Sequence, residues 1–324
     1  MEPGCPKRMV YGPCGGVRAD LSCELGDRPC PFAVRPPVHW AGPAAPVPAP
    51  RVPLVLTDLS VRPYDPGSLR RVVRILAPVS DGLLVGEHQN RPDLPPTLLA
   101  AEVIAAGGRP WLTLTCRDRN RVVLEQELVG LRMVGVDGVL CVTGDARGPG
   151  VRPDTTQVFD LDGTRLAALA AECGLVAAVP EAPEAPPVEL RPARVASKQR
   201  AGARVCVLNH VGTPRRVRAF VAAARAAGAT LPFVAGVAVY TDERSARVLQ
   251  AFPGLQLDAT AVGAVLAAPD PVEAGIAAAV AEARALLDIP GVLGVNLSGL
   301  ASDRGEEVAA EVKAAVATGL RAAA

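Results

Sequence analysis

Eight short apolar runs recur along the chain, separated by amphipathic sequence, and this alternation restricts the fold more than any other feature. The runs are 54–59 (LVLTDL), 82–88 (GLLVGEH), 110–116 (PWLTLTC), 138–144 (GVLCVTG), 174–179 (GLVAAV), 204–210 (RVCVLNH), 232–239 (PFVAGVAV) and 291–298 (GVLGVNLS). Most are continuously apolar, as expected of parallel strands buried on both faces. Helical periodicity fills 66–77, 95–106, 121–134, 164–172, 213–227, 242–251, 257–267 and 272–286, and 190–202 also reads as helix. Strands that each hand on to a helix predict a (β/α)8 barrel over residues 54–324. An open doubly wound sheet is the alternative. It fits less well, because eight units share about 270 residues and no Gly-rich dinucleotide fingerprint follows the first run. Aromatic residues make up only 3% of the chain, so the core must come from Val, Leu and Ala.

The chain changes character before residue 40. Residues 1–40 hold Cys5, Cys14, Cys23 and Cys30 but few apolar runs, and 41–53 form a Pro/Ala-rich tether. The net charge of +1 gives no bias toward nucleic acid or anionic membrane. No stretch is long and apolar enough to span a bilayer, and no apolar leader opens the chain. Eight cysteines without a leader predict a reducing, cytoplasmic setting. The basic residues are nearly all Arg; the lysines are Lys7, Lys198 and Lys313. Against that bias a lysine can mark a place where Arg will not serve, although Lys313 reads as a solvated helix residue.

In such a barrel the active site gathers at the C-terminal ends of the strands. The candidates there are Asp58, Glu87, His88, the stretch from Thr115 to Arg121, Thr143 to Asp145, Pro180, Glu181, Asn209, His210, Tyr240 and Asn296. A lone His at a strand end is more often a satisfied structural group than a base. Asp58 and Asp145 face a competing assignment, since Asp at the end of a β/α loop often caps the next helix. Taken alone, RDRNR reads as a charged turn that starts a helix.

The string TCRDRNR, followed by EQELVGLRMVGVDGVLCVTGD, VFDLDG (158–163) and KQRAGA (198–203), closely resembles the RDRN-containing branch of the methylenetetrahydrofolate reductases. The resemblance covers most of residues 54–299 and is strongest over 110–210. It implies reduction of 5,10-methylenetetrahydrofolate to 5-methyltetrahydrofolate. An acid opens the imidazolidine ring to an iminium, an anion steadies that cation, and a hydride reduces the methylene carbon. The resemblance puts Asp58 at the position of the acid, one methylene shorter than the family's Glu, and Asp145 beside the pterin. Asn209 falls where the family has a pterin-binding Gln. Lys198, Arg117, Asp118 and Asn120 fall in the substrate-binding units, and Thr115, Thr143 and Glu181 in the cofactor-binding ones.

Departures from the family bear on the cofactor. The Tyr-Pro-Glu segment of the flavoenzymes is VPEAPEAPP here, and the Arg before Gly-Asp is Thr143. FAD is therefore disfavoured, and NADH or NADPH is expected to supply hydride directly. The shortened Asp58 and Asn209 also allow a relative with altered or lost activity. The run FDLDGT matches a phosphatase nucleophile motif, but that motif needs a buried strand before it, and VRPDTTQ reads as loop.

The N-terminal CPK, GPCGG and CE strings are similar to a small cysteine module that accompanies these reductases, often on a partner subunit. The x8, x8, x6 spacing is not that of a zinc ribbon. Zn²⁺ bound by four thiolates is the first expectation, an iron–sulfur cluster the second, and free or redox-active thiols the alternative. Cys116, Cys141, Cys173 and Cys206 read as small buried residues. The competing function is a non-catalytic, metal-binding partner of a second reductase or corrinoid subunit.

Overall fold

The computed structural model describes residues 4–35, 38–42, 49–88, 90–148, 150–252 and 255–322. Residues 43–48 of the expected tether lie outside them. The strands are β1 (Val55–Asp58), β2 (Gly82–Val85), β3 (Pro110–Thr115), β4 (Gly138–Val142), β5 (Ala177–Glu181), β6 (Val205–Leu208), β7 (Phe233–Tyr240) and β8 (Val292–Ala301). Each pairs in parallel with the next, and β8 pairs with β1, so the sheet closes as a (β/α)8 barrel.

One helix follows each of the first six strands: α1 (Pro66–Leu76), α2 (Pro96–Ala105), α3 (Arg121–Val134), α4 (Gly163–Glu172), α5 (Arg191–Arg200) and α6 (Pro214–Ala226). Three helices connect β7 to β8: α7 (Glu243–Gln250), α8 (Ala259–Leu266) and α9 (Pro271–Leu287). The chain ends in α10 (Glu306–Arg321), which packs between α1 and α9 and completes the outer ring. The helix starts follow from short polar side chains that accept from otherwise orphaned N–H groups. Asp65 caps α1, Asn120 caps α3, Asp162 caps α4, and Asp258 and Asp270 cap α8 and α9.

Two apolar layers result from the strand alternation. Leu56, Leu84, Trp111, Leu140, Ala178, Val205, Val207 and Val234 fill the barrel interior. The larger outer layer, between strands and helices, includes Val55, Leu83, Leu112, Val139 and Val295. With so few aromatics, one ring has a large effect. Trp111 occupies the interior beside Gly82 and Gly138, where an added Cβ would lie 2.9 Å and 2.5 Å from the indole. The glycines make room for the ring.

Most of the expected strands and helices match to within a few residues. The fifth strand is displaced from 174–179 to Ala177–Glu181. Gly174, at φ +78°, and Leu175 close the end of α4 through bonds to Ala171 and Ala170 instead of starting the strand. The β4–β5 ladder stops at Leu140↔Ala178, ahead of Pro180, which has no N–H to donate.

Replacing Gly138 by Ala should therefore cost about 1–3 kcal/mol through overpacking. The cost should shrink in a Trp111→Leu background. Urea melts of the four proteins measure that coupling, and an equal cost in both backgrounds would show that the glycine serves another purpose.

Candidate functional site at the C-terminal mouth of the barrel

Alternation carries β1 from Leu56 to Asp58 and β6 from Val207 to Asn209, so both polar residues stand above the interior layer at its C-terminal end. Asn296 of β8 is in register with Leu56 and joins them. Its Nδ2 donates to Asp58 Oδ1 at 3.0 Å. Asp145 follows Gly144 just past β4. Gly144 sits at φ +93°, with the Cβ atoms of Thr115 and Arg117 close by. Neither Asp58 nor Asp145 caps a helix, because Asp65 and Asp162 do that work in the two loops.

Three carboxyl groups around this mouth are held above the usual range by burial. In Asp58, burial outweighs the opposing Lys313 ammonium and the Asn296 bond. In Asp145, burial outweighs Lys7, and Glu24 adds to the rise. In Glu87, burial outweighs Arg119, Thr115 and Arg117. A raised pKa suits a carboxyl group to holding and giving up a proton.

The RDRN stretch is fastened largely to the protein itself. Arg117 is buried and donates to Asp118 Oδ2 at 2.9 Å, to the Asp145 carbonyl at 3.2 Å and to the His88 carbonyl at 3.2 Å. Asp118 also meets Arg147 at 2.7 Å. Arg119 pairs with Glu87 at 2.7 Å, and the Thr115 hydroxyl donates to the same carboxylate. Asn120 is exposed and spends its side chain capping α3. Arg117, Asp118 and Glu87 border a cavity of about 190 Å³ on the flank between β2, β3 and α2. That is below the several hundred Å³ typical of a small-molecule pocket.

Glu181 and Lys198 are in contact with each other. Burial alone would raise the Glu181 pKa, but Lys198, Arg194 and Arg191 hold it down at about 2. Lys198 Nζ lies 2.8 Å from Glu181 Oε2, with Arg191 and Arg194 at 3.3 and 3.4 Å. Lys198 also donates to the Pro180 carbonyl. Thr143 accepts from Gly163 N at 2.9 Å and touches Met9.

Residues 4–17 lie across the ends of β4, β5 and α5, a placement that nothing in the sequence indicated. Arg191 donates to the carbonyls of Pro13 and Cys14, and Arg194 to that of Tyr11. Val10 N bonds Asp162 at 3.0 Å, and Ala146 N bonds Glu24 at 3.1 Å. Lys7 donates to Glu24 and to the Gly144 carbonyl. Met9, Val17, Cys30 and Phe32 form a small core of the segment's own, with Leu190 of the barrel packed on it. Cys5 and Cys14 pack against this core beside Cys30, burial raises the Cys5 and Cys30 thiol pKa values, and Cys14 donates to Glu24 at 3.3 Å. Among the described residues no group of three or more His, Cys, Asp or Glu is placed to hold a metal ion.

Other expectations fared unevenly. Lys313 is not a solvated helix residue. It is 1% exposed, and its ammonium bonds the Asp58 carbonyl at 2.8 Å. The inner face of α10 has to cover the β1 end, and a lysine there reaches a carbonyl that no neighbouring strand takes. His210 is a satisfied structural group, bonded to Glu282 at 2.7 Å and to the Gln256 carbonyl. Phe159–Thr164 follows a loop and not a strand, and its Asp162 serves as the α4 cap. Cys116, Cys141 and Cys206 are buried, and Cys173 partly so. No helix among the described residues is long and apolar enough to cross a membrane.

No family model matches the chain, and no curated protein does. Solved structures do. A Clostridium thermocellum protein described as binding two copies of 5-methyl-5,6,7,8-tetrahydrofolic acid superposes with a TM-score of 0.57 at 11% identity, covering 82% of this chain and 93% of that one. The tryptophan synthase A-subunit of Pyrococcus furiosus superposes at 0.50 and 14% identity, covering 83% and 97%. At these identities the likeness shows the barrel.

The Glu181 cluster sets a pH dependence. A carboxylate held near 2 in the folded state and near 4.5 when free binds fewer protons folded than unfolded over that interval. Its contribution is complete above about pH 4.5 and is lost as pH falls toward 2. Glu181→Gln should flatten that loss. At pH 7 it should cost about 3–5 kcal/mol, because it leaves buried cations unpaired. Denaturant midpoints between pH 2 and 7 test both effects, and a variant as stable as the parent at pH 7 would remove the cluster from the fold's supports.

Proposed function

We propose that the barrel binds a reduced folate at its C-terminal mouth and reduces 5,10-methylenetetrahydrofolate to 5-methyltetrahydrofolate. One observation carries this reading. Asp58, Asp145 and Asn209 stand at the ends of the first, fourth and sixth strands, where the sequence resemblance puts its acid, its pterin-side anion and its pterin-binding amide. Both carboxyl groups are free of helix capping and both are raised by burial. The similar fold of a protein described as binding 5-methyltetrahydrofolic acid adds support.

In this reading Asp58 gives its proton to a nitrogen of the imidazolidine ring, and the C–N bond opens to an exocyclic iminium. Asp145 steadies that cation when ionised; burial raises its pKa, and Lys7 opposes the rise. NADH or NADPH, when bound, would supply the hydride for the methylene carbon. Glu181, Lys198 and Thr143 hold the β4–β5 side of the mouth in shape, and Arg117 and Asp118 fix the β3 loop against Asp145. No step uses a flavin.

A second reading, a folate-binding protein without turnover, is favoured by the short Asp58 and Asn209 side chains. Calorimetry with methyltetrahydrofolate and a turnover assay separate the two. Wild type should bind and turn over. Asp58→Asn should stay folded and bind while losing about 10²–10⁴-fold in turnover, the usual contribution of a general acid. Binding without turnover in wild type would select the second reading, and no binding would remove both.

The N-terminal segment also bears on the metal expectation. Zn²⁺ or an iron–sulfur cluster at Cys5, Cys14, Cys23 and Cys30 rests on the sequence resemblance, and Cys14 would have to leave Glu24 to become a ligand. The arrangement described is not that of a tetrathiolate site, and no step above depends on a metal. Elemental analysis and an absorbance spectrum of the purified protein test this, and a metal-free, folded protein would remove the metal.

A further inference from the structure

We propose that Asn296 is the positioning residue of the Asp58 carboxyl and, beside it, the acceptor that the barrel offers its ligand. The ligand's identity rests on the folate reading above, but the positioning role does not.

The geometry is specific. Asn296 lies on the inner face of β8, flanked in register by Leu56 of β1 and Gly236 of β7. It is 6% exposed. Its amide donates to Asp58 Oδ1 at 3.0 Å, while its own Oδ1 is buried and has no hydrogen-bond partner. Buried polar atoms in folded proteins are nearly all paired, so an orphan at the mouth of a barrel points to a partner that arrives from outside. Asp58 is likewise half satisfied. Lys313 of α10 takes its main-chain carbonyl, Asn296 takes Oδ1, and no bond among the described residues reaches Oδ2.

These contacts decide where the proton sits. An oxygen that already accepts an N–H bond is the poorer place for a proton, so the neutral acid carries it on Oδ2. The charged group acting on this carboxyl is the Lys313 ammonium, which favours ionisation but is outweighed by burial. Asp58 thus offers a donor, and the amide that holds its Oδ1 offers an unpartnered acceptor. A nitrogen heterocycle meets both. Asp58 Oδ2 gives its proton to the ring nitrogen and becomes a carboxylate. The N–H formed can then be received by Asn296 Oδ1, while the amide continues to hold Oδ1 of the new carboxylate.

The test needs no turnover. In the full chain labelled with ¹³C-aspartate, the Asp58 carboxyl is followed against pH and assigned with Asp58→Asn. Asn296→Ala removes the donor, so the Asp58 midpoint should move upward. Asn296→Asp should move it further, because a second carboxyl resists sharing the site. Methyltetrahydrofolate should bind about tenfold more weakly to Asn296→Ala, the loss of one hydrogen bond. Asn296→Asp, which keeps an acceptor, should lose less. An unmoved Asp58 midpoint in both folded variants overturns the positioning role. A moved midpoint in a protein whose wild type binds no methyltetrahydrofolate supports that role and overturns the folate reading instead.

Discussion

The mouth of this barrel depends on buried ammonium groups placed against main-chain carbonyls. Strand ends leave C=O groups that no neighbouring strand takes, and burying them unpaired is costly. Each lysine of the chain answers one of these carbonyls. Lys313 bonds that of Asp58 at the end of β1, Lys7 that of Gly144 after β4, and Lys198 that of Pro180 in β5. All three are at most 5% exposed. An ammonium is a compact charge with three donors on a thin stem, whereas a guanidinium is a wide planar fork. In a chain with 34 basic residues, this geometry explains why lysine was kept at these three positions.

The three ammonium groups differ in their negative partners. Lys7 pairs with Glu24 and Lys198 with Glu181, while Lys313 feels the Asp58 carboxyl without an ion pair to it among the described residues. Burial pulls the Lys313 pKa down to about 8, with Asp58 opposing that fall. Where the ion pair is direct, as at Glu181, the acid is locked in its charged form and serves the architecture. Where the positive charge spends itself on a carbonyl, as at Asp58, burial prevails and the carboxyl pKa is raised. One type of interaction thus leaves one carboxyl group with a lowered pKa and another with a raised one.

The barrel was legible because parallel strands buried on both faces must be apolar throughout, and only the fifth strand was misplaced, where Gly174 and Leu175 finish a helix. Asp58, Asp145, Asn209 and Asn296 were legible as polar residues ending apolar runs. Sequence could not tell a cap from a site, since Asp serves both; in the structure the caps fall to Asp65 and Asp162. Partnerships across the chain were not legible. Nothing local pairs Arg191 with Pro13 and Cys14, Lys313 with Asp58, or Glu24 with Ala146. Lysine scarcity was a usable signal for Lys7 and Lys313, and the helical periodicity around Lys313 concealed it.

The seating of residues 4–17 has a consequence for the order in which the molecule assembles. Lys7 meets a carbonyl 137 residues downstream, and Cys14 meets an arginine 177 residues downstream. Closing loops of that length carries an entropic cost that only a formed receptor can offset. During synthesis this segment is therefore made well before the side of the barrel that receives it. Its cysteines stay accessible until the β4–β5 side of the barrel exists to receive them.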